Sequence, residues 1–273
     1  MSEEESLTES ERIERREFRR GHIGPDEEPV EPWPAATLVL ARGGDDGLEL
    51  LFLRRPPTSR FGAGAWVFPG GVVDPGDREA ELAGRLGPGI PSSEMAFLAA
   101  ALRECFEETG LLPADRVPDW EERRRVREQL LSGEVDLPGI LRRWDLTFRE
   151  LRAAYFARWV TPARLSRRYD ARFFLAEHRG GEPHLVHGEH TDAAWIAPAT
   201  ALDRFRTGEL PMLFPTRKTV ESLDQFGSLD EALEAYRRRT VEPVRPRLLV
   251  DEDRVVPVMP GDPEYERAGP EGS

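Results

Sequence analysis

The run Arg103-Glu104-Cys105-Phe106-Glu107-Glu108-Thr109-Gly110-Leu111 constrains this chain more than any other stretch. It closes a segment, 93–109, in which Leu98, Leu102, Cys105, Phe106 and Thr109 recur at helical spacing. Ser92 or Ser93 can cap that helix and Gly110 can end it. Residues three and four apart share a helix face, so Glu104, Glu107 and Glu108 are neighbours. Three crowded carboxylates repel one another, and a cation joining them would turn that repulsion into binding. Hard divalent ions such as Mg²⁺ take oxygen ligands of this kind. Arg103, one turn before Glu107, is placed to pair with it and hold its rotamer. The competing reading is a solvated acidic face, as charge runs usually are. The helix alone leaves both open.

Upstream, Phe68-Pro69-Gly70-Gly71 ends a short strand at 65–68. Paired glycines let backbone approach a ligand closely and present its N–H and C=O groups. Strand-like runs at 37–42 and 48–54 flank a Gly/Asp-rich turn and read as a hairpin. Residues 74–93 read as a loop with one helical turn, and 113–154 as an inserted helical segment with helices at 120–131 and 147–154. Strands at 155–160, 172–177 and 193–197 follow, then helices at 198–206, 216–226 and 228–239. The mixture lacks strict βαβ alternation, which predicts an α+β layered domain. Residues 1–33 read as a solvated acidic extension with a short amphipathic helix at 9–20, 34–240 as the domain, and 241–273 as a loose tail.

A chain of 273 residues can bury a full core. No apolar stretch approaches the roughly 20 residues needed to span a bilayer, so an integral membrane role is not expected. A net charge of −13 argues against binding nucleic acid or anionic membrane. Cys105 is the only cysteine, so no intrachain disulfide forms and a reducing compartment fits. The acidic start has no apolar core of a signal peptide, and Glu271-Gly272-Ser273 is not a Ser-Lys-Leu-type address. The expected location is the cytoplasm.

The glycine turn and the acidic helix together resemble the signature of the Nudix hydrolase superfamily. That pattern is Gly, five residues, Glu, seven residues, then Arg-Glu-aliphatic-x-Glu-Glu-x-Gly-aliphatic. Gly71 matches the first glycine, and Arg103, Glu104, Glu107, Glu108, Gly110 and Leu111 match the second half, with Cys105 in the aliphatic slot. The chain departs from the pattern twice. Asp77 stands at the first acidic position, and 25 residues (78–102) separate it from Arg103. An interrupted box of this kind is similar to the peroxisomal-type coenzyme A diphosphatase-like branch. The segments 59–77, 159–162 and 167–174 extend the likeness, which covers about residues 34–240. Arg60, Gly64 and 68–71 match the second half of an upstream element of coenzyme A-cleaving members; 50–55 matches its first half loosely.

The resemblance implies a Nudix α/β/α sandwich with a mixed β-sheet and inserted helices. It implies Mg²⁺, with Mn²⁺ as the alternative, bound by Glu104, Glu107, Glu108 and the Gly70 carbonyl. A carboxylate then takes the proton of the attacking water. Glu189, six residues before Trp195, is the first candidate for that base, Asp192 the second, and Glu104 another. Arg54, Arg55 and Arg60 flank the site and are candidates to grip phosphate, with surface solubility as their other reading. His184, His187 and His190 sit close in sequence but read as a polar loop rather than a zinc site. Cys105 reads as packing, not a nucleophile.

The implied activity is cleavage of coenzyme A or acyl-coenzyme A to adenosine 3′,5′-bisphosphate and a 4′-phosphopantetheine product. Another nucleoside diphosphate derivative, such as NADH or ADP-ribose, is the second reading. A non-catalytic binding module is the third, opposed by the intact carboxylates. The insertion at 113–154 and the one inside the box are expected to form a lid or groove for the pantetheine or acyl arm. Homodimers are common in the superfamily.

Overall fold

The computed structural model describes residues 7–24, 27–44, 47–79, 84–85, 90–186, 188–250 and 255–268. An eight-stranded mixed sheet has the order β3 (Trp66–Val67), β2 (Gly47–Arg54), β1 (Trp33–Gly44), β6 (Tyr169–Glu177), β5 (Ala153–Val160) and β8 (Pro243–Val244). Two further strands join it, β4 (Gly70–Val72) on β1 and β7 (Asp192–Ile196) on β2. β1 lies parallel to β6 and β5 parallel to β8, while the other pairings are antiparallel.

Side chains alternate across a strand, so each central strand feeds two cores. Leu38, Leu40, Leu51 and Leu53 pack with α2 (Met95–Thr109), α3 (Trp120–Leu131) and α4 (Leu137–Arg143). Val39, Ala41, Leu50 and Phe52 pack with α5 (Pro198–Thr207), α6 (Phe214–Leu223) and α7 (Leu229–Arg237) on the other face. The result is the expected α+β sandwich with inserted helices. Among the described residues no helix is long and apolar enough to cross a membrane.

Several local expectations change. The helix expected at 147–154 is absent; Asp115 pairs with Thr147 through backbone and side chain, and β5 starts at Ala153. The second helix of the insertion is α4, where the Asp136 side chain accepts from Gly139 N–H and Pro138 sits in the first turn. Neither serine caps α2, which is entered through a short 3₁₀ turn, Ser92–Glu94.

The solvated N-terminal extension and loose C-terminal tail also give way to structure. α1 (Glu9–Gly21) carries a capping box between Thr8 and Glu11 and buries Ile13. It packs against α5 and against β10 (Val255–Val258), which pairs with β9 (Arg247–Val250). The physical reason is an apolar stripe: Phe18 meets Phe214 edge-on at 6.1 Å, so the helix has a core to join.

Candidate active site

The site forms where β4 lies beside the last two turns of α2. Leu38 N–H donates to Pro69 O and Val73 N–H to Pro34 O, both at 2.9 Å. In the β1–β4 register this makes Thr37–Gly70 and Ala35–Val72 non-hydrogen-bonded pairs. The backbone groups of Gly70 and Val72 therefore face away from β1. Gly70 N–H donates to Glu108 Oε2 at 3.2 Å, and Val72 O accepts from Arg103 Nη2 at 2.8 Å. The Gly70 carbonyl projects from the same edge. Only glycine fits at 70, where a Cβ would meet Ala36 O at 2.5 Å; at 71 a Cβ would meet only the carboxyl tip of Glu104 and push it aside.

Arg103 is the hub. Its Nη1 donates to Glu104 Oε1 (2.9 Å) and Glu107 Oε2 (3.0 Å). Nε and Nη2 grip the Asp77 carboxylate at 3.0–3.3 Å. Burial alone would lower the guanidinium's pKa, but hydrogen bonds and charge from Asp77 and Glu104 raise it instead, so Arg103 stays cationic. Asp77 is 4% exposed. The sequence left this acid without a role; the structure gives it one, as the anchor of Arg103.

The carboxylates are uncomfortable as anions. Burial pushes Glu107 up to about 7, and burial also raises Glu104. Burial, then the neighbouring charge of Glu104, lifts Glu108 well above the usual carboxylate range. Even so, among the described residues no group of three or more His, Cys, Asp or Glu donors is gathered closely enough to hold an ion. The reason is visible: Glu104 and Glu107 turn to Arg103, while Glu108 turns to Gly70 N–H. The donors are hard oxygens on one helix face, repel one another and stand beside a projecting carbonyl. That chemistry fits a divalent cation, which would draw Glu104 and Glu107 partly off Arg103.

Glu189 is exposed in the turn before β7, and its charge reaches both Glu108 and Arg127. Asp192 is also exposed, and its side chain accepts from Ala193 N–H at 2.9 Å. Arg54 and Arg60 are exposed and lie off the cavity described below, whereas Arg55 lines it and its charge reaches Glu108. The sequence grouped Arg55 with the other two and had no signal to separate them. Arg55 Nε donates to Phe61 O at 3.0 Å, which turns the guanidinium back over the loop.

The histidines separate. His184 stacks on Trp120 with centroids 3.7 Å apart, and His187 lies outside the described residues. His190 is buried with its Nε2 4.0 Å from Glu108 Oε1, and neither ring nitrogen has a hydrogen-bond partner. Burial, then Arg55, lowers it to about 4, so it stands neutral beside that carboxylate. Burial pushes the Cys105 thiol up to about 12, in keeping with a packing role.

Two residues the sequence did not single out hold α2 from behind. Arg127 of α3 donates twice to Glu107 O (2.8 and 2.6 Å) and once to His184 O (2.6 Å). Arg123 donates to Gly110 O at 2.9 Å. Both satisfy carbonyls left over at the helix C-terminus. The insertion at 113–154 thus braces the site helix. None of its residues lines the cavity that opens at Gly70, Gly71 and Glu108. That cavity, about 350 Å³, runs instead between the sheet, α6 and α1.

The family model of the NUDIX domain matches residues 32–214. A crystal structure of a NUDIX hydrolase from Alicyclobacillus acidocaldarius superposes with a TM-score of 0.62 at 31% identity, covering 75% of this chain and 96% of the other. The fold and site define a hydrolase that acts on diphosphates. The chain belongs to the Nudix family. Among curated relatives, acyl-coenzyme A diphosphatase NUDT19 of Gallus gallus is 28% identical over 311 residues, 85% of this chain and 79% of that protein. The Homo sapiens protein of the same name is 27% identical over 310 residues, 85% of this chain and 80% of that protein.

Proposed function

We propose that the protein cleaves the diphosphate of coenzyme A or acyl-coenzyme A, yielding adenosine 3′,5′-bisphosphate and (acyl-)4′-phosphopantetheine. The observation that carries the reading is similarity to two acyl-coenzyme A diphosphatases across 85% of the chain, joined to a complete set of box carboxylates. Glu104, Glu107, Glu108 and the Gly70 carbonyl hold Mg²⁺, for which Mn²⁺ can substitute. The ion supplies charge neutralisation at the diphosphate and a lowered pKa for water. Arg103, anchored by Asp77, sets the rotamers of Glu104 and Glu107. Glu189 takes the proton, since it faces solvent next to Glu108 while Glu104 is tied to Arg103. Arg55 grips phosphate at the cavity mouth.

The test is mass spectrometry of products after incubation with Mg²⁺ and coenzyme A, an acyl-coenzyme A, NADH or ADP-ribose, with EDTA as control. Metal-dependent release of adenosine 3′,5′-bisphosphate well above AMP release supports the reading. AMP from NADH or ADP-ribose instead moves the substrate, and no turnover of any of them points to a binding module. Glu107→Gln with Glu108→Gln should abolish turnover while the protein still folds.

A further inference from the structure

The cavity beside Gly70 and Gly71 has more to say about the substrate than the box does. One end is lined by Gly70, Gly71 and Glu108, with Arg55 at the same mouth. Most of the remaining wall is apolar, with Val67, Phe68, Trp159, Phe173, Leu213 and Phe214, and Thr37, Thr161, Arg167, Tyr169 and Thr216 are its polar members. Phe61, 40% exposed, stands at the opening. The far wall comes from Phe18 of α1 and from Pro246 and Pro257 of the C-terminal segment. All three lie outside residues 32–214, so this wall is an addition to the family domain.

We propose that this cavity binds the uncharged, largely apolar arm attached to the diphosphate, and that α1 together with β10 sets the length of arm accepted. The inference rests on the diphosphatase reading above and adds to it where the non-nucleotide arm lies. A volume of about 350 Å³ lined mainly by aliphatic and aromatic groups suits a flexible, largely apolar arm. The hydroxyls of Thr37, Thr161, Tyr169 and Thr216, which also line it, can serve the amides of a pantetheine arm, and the apolar remainder its hydrocarbon portion. Charge sharpens the choice. The α1 end holds Glu14, paired with Arg217 at 3.3 Å, and the buried Glu17. Arg217 offsets Glu14, so the buried Glu17 is the charge that disfavours a chain ending in a carboxylate at this end. The three rings that meet at that end, Phe18, Phe214 and Trp159, pack edge-on at 6.1 Å and form a stiff stop.

The experiment measures kcat/KM with Mg²⁺ for acetyl-, hexanoyl- and decanoyl-coenzyme A, and for a decanoyl analogue ending in a carboxylate. In parallel, calorimetry measures binding of S-decanoyl-pantetheine, which carries no diphosphate. Each methylene that enters the cavity should raise kcat/KM about fourfold until the chain reaches the aromatic stop. The carboxylate-ended chain should lose at least tenfold against its neutral counterpart. Ala171→Phe, which fills the cavity from the β6 wall, should lower the decanoyl-to-acetyl ratio more than tenfold and remove pantetheine binding. Phe18→Ala, at the far wall and on a separate helix, should move the preferred chain to greater length; it keeps the test open if the first variant fails to fold by circular dichroism. Flat dependence on chain length with no pantetheine binding would overturn this inference while leaving the diphosphatase reading intact. Binding of the pantetheine ester without cleavage of any coenzyme A species would support the cavity assignment and overturn the reaction.

Discussion

Replacing Asp77 with alanine tests the arrangement most directly. The carboxylate is 4% exposed and takes three contacts of 3.0–3.3 Å from an arginine that is itself 6% exposed. Removing one partner of a buried ion pair costs about 3–5 kcal/mol, because the other charge is left without compensation. Here Arg103 keeps Glu104, Glu107 and Val72 O, so the lower end, about 3 kcal/mol, is expected. For a domain of this size that is a fall in Tm of about 6–12 °C. The functional effect has a definite direction. Without Asp77, the guanidinium leans on Glu104 and Glu107, the same oxygens an ion needs. The Mg²⁺ concentration for half-maximal turnover should therefore rise. Asp77→Asn, which keeps one acceptor, should fall between wild type and Asp77→Ala. The assays are thermal unfolding in EDTA and a Mg²⁺ titration of hydrolysis, with Glu79→Ala as the exposed control. If Asp77→Ala melts with the control and its Mg²⁺ midpoint does not move, Asp77 is not the anchor and the account of Arg103 is wrong.

Arg127→Met removes three hydrogen bonds from the brace behind α2 and should cost about 3 kcal/mol in a urea melt. It should leave chain-length preference unchanged, since Arg127 lies outside the cavity lining. The two glycines should separate in the same assays. Gly70→Ala forces a Cβ onto Ala36 O and lowers Tm, whereas Gly71→Ala meets only the flexible tip of Glu104, keeps Tm and lowers activity. Glu107 gives a pH dependence whose sign is fixed. Its carboxyl is raised from 4.5 to about 7, so its contribution in EDTA is full below pH 4.5 and is lost as pH climbs through 7. The Tm of the ion-free protein should fall over that window, Glu107→Gln should fall less, and saturating Mg²⁺ should flatten the wild-type curve.

How much of this was legible in the sequence follows from the range of each interaction. Glu104, Glu107 and Glu108 share a face because of helical spacing alone, and Gly70-Gly71 at a strand end follows from local chemistry. In the structure Glu108 meets Gly70 N–H and Glu104 lies against Gly71, while Glu104 and Glu107 turn to Arg103. Asp77 was not legible, because its partner Arg103 lies 26 positions away across a loop. Arg127 was missed for the same reason: its bonds to Glu107 O and His184 O span 20 and 57 positions. In an arginine-rich segment nothing local marks the one guanidinium that is buried. The N-terminal helix was legible, but its docking was not, because composition reports polarity while α1 needs only a narrow apolar stripe to be held.

The far wall of the cavity joins Phe18 to Pro257, residues 239 positions apart in the chain. The box helix and its glycine turn pack on β1, β4 and β6, all of which are complete by Glu177, well before position 257 is synthesised. The box and the far wall thus come from parts of the chain made at different times. If the cavity measures the arm as proposed, a chain clipped before Pro246 would lack part of the far wall, and its hydrolysis should lose its dependence on chain length.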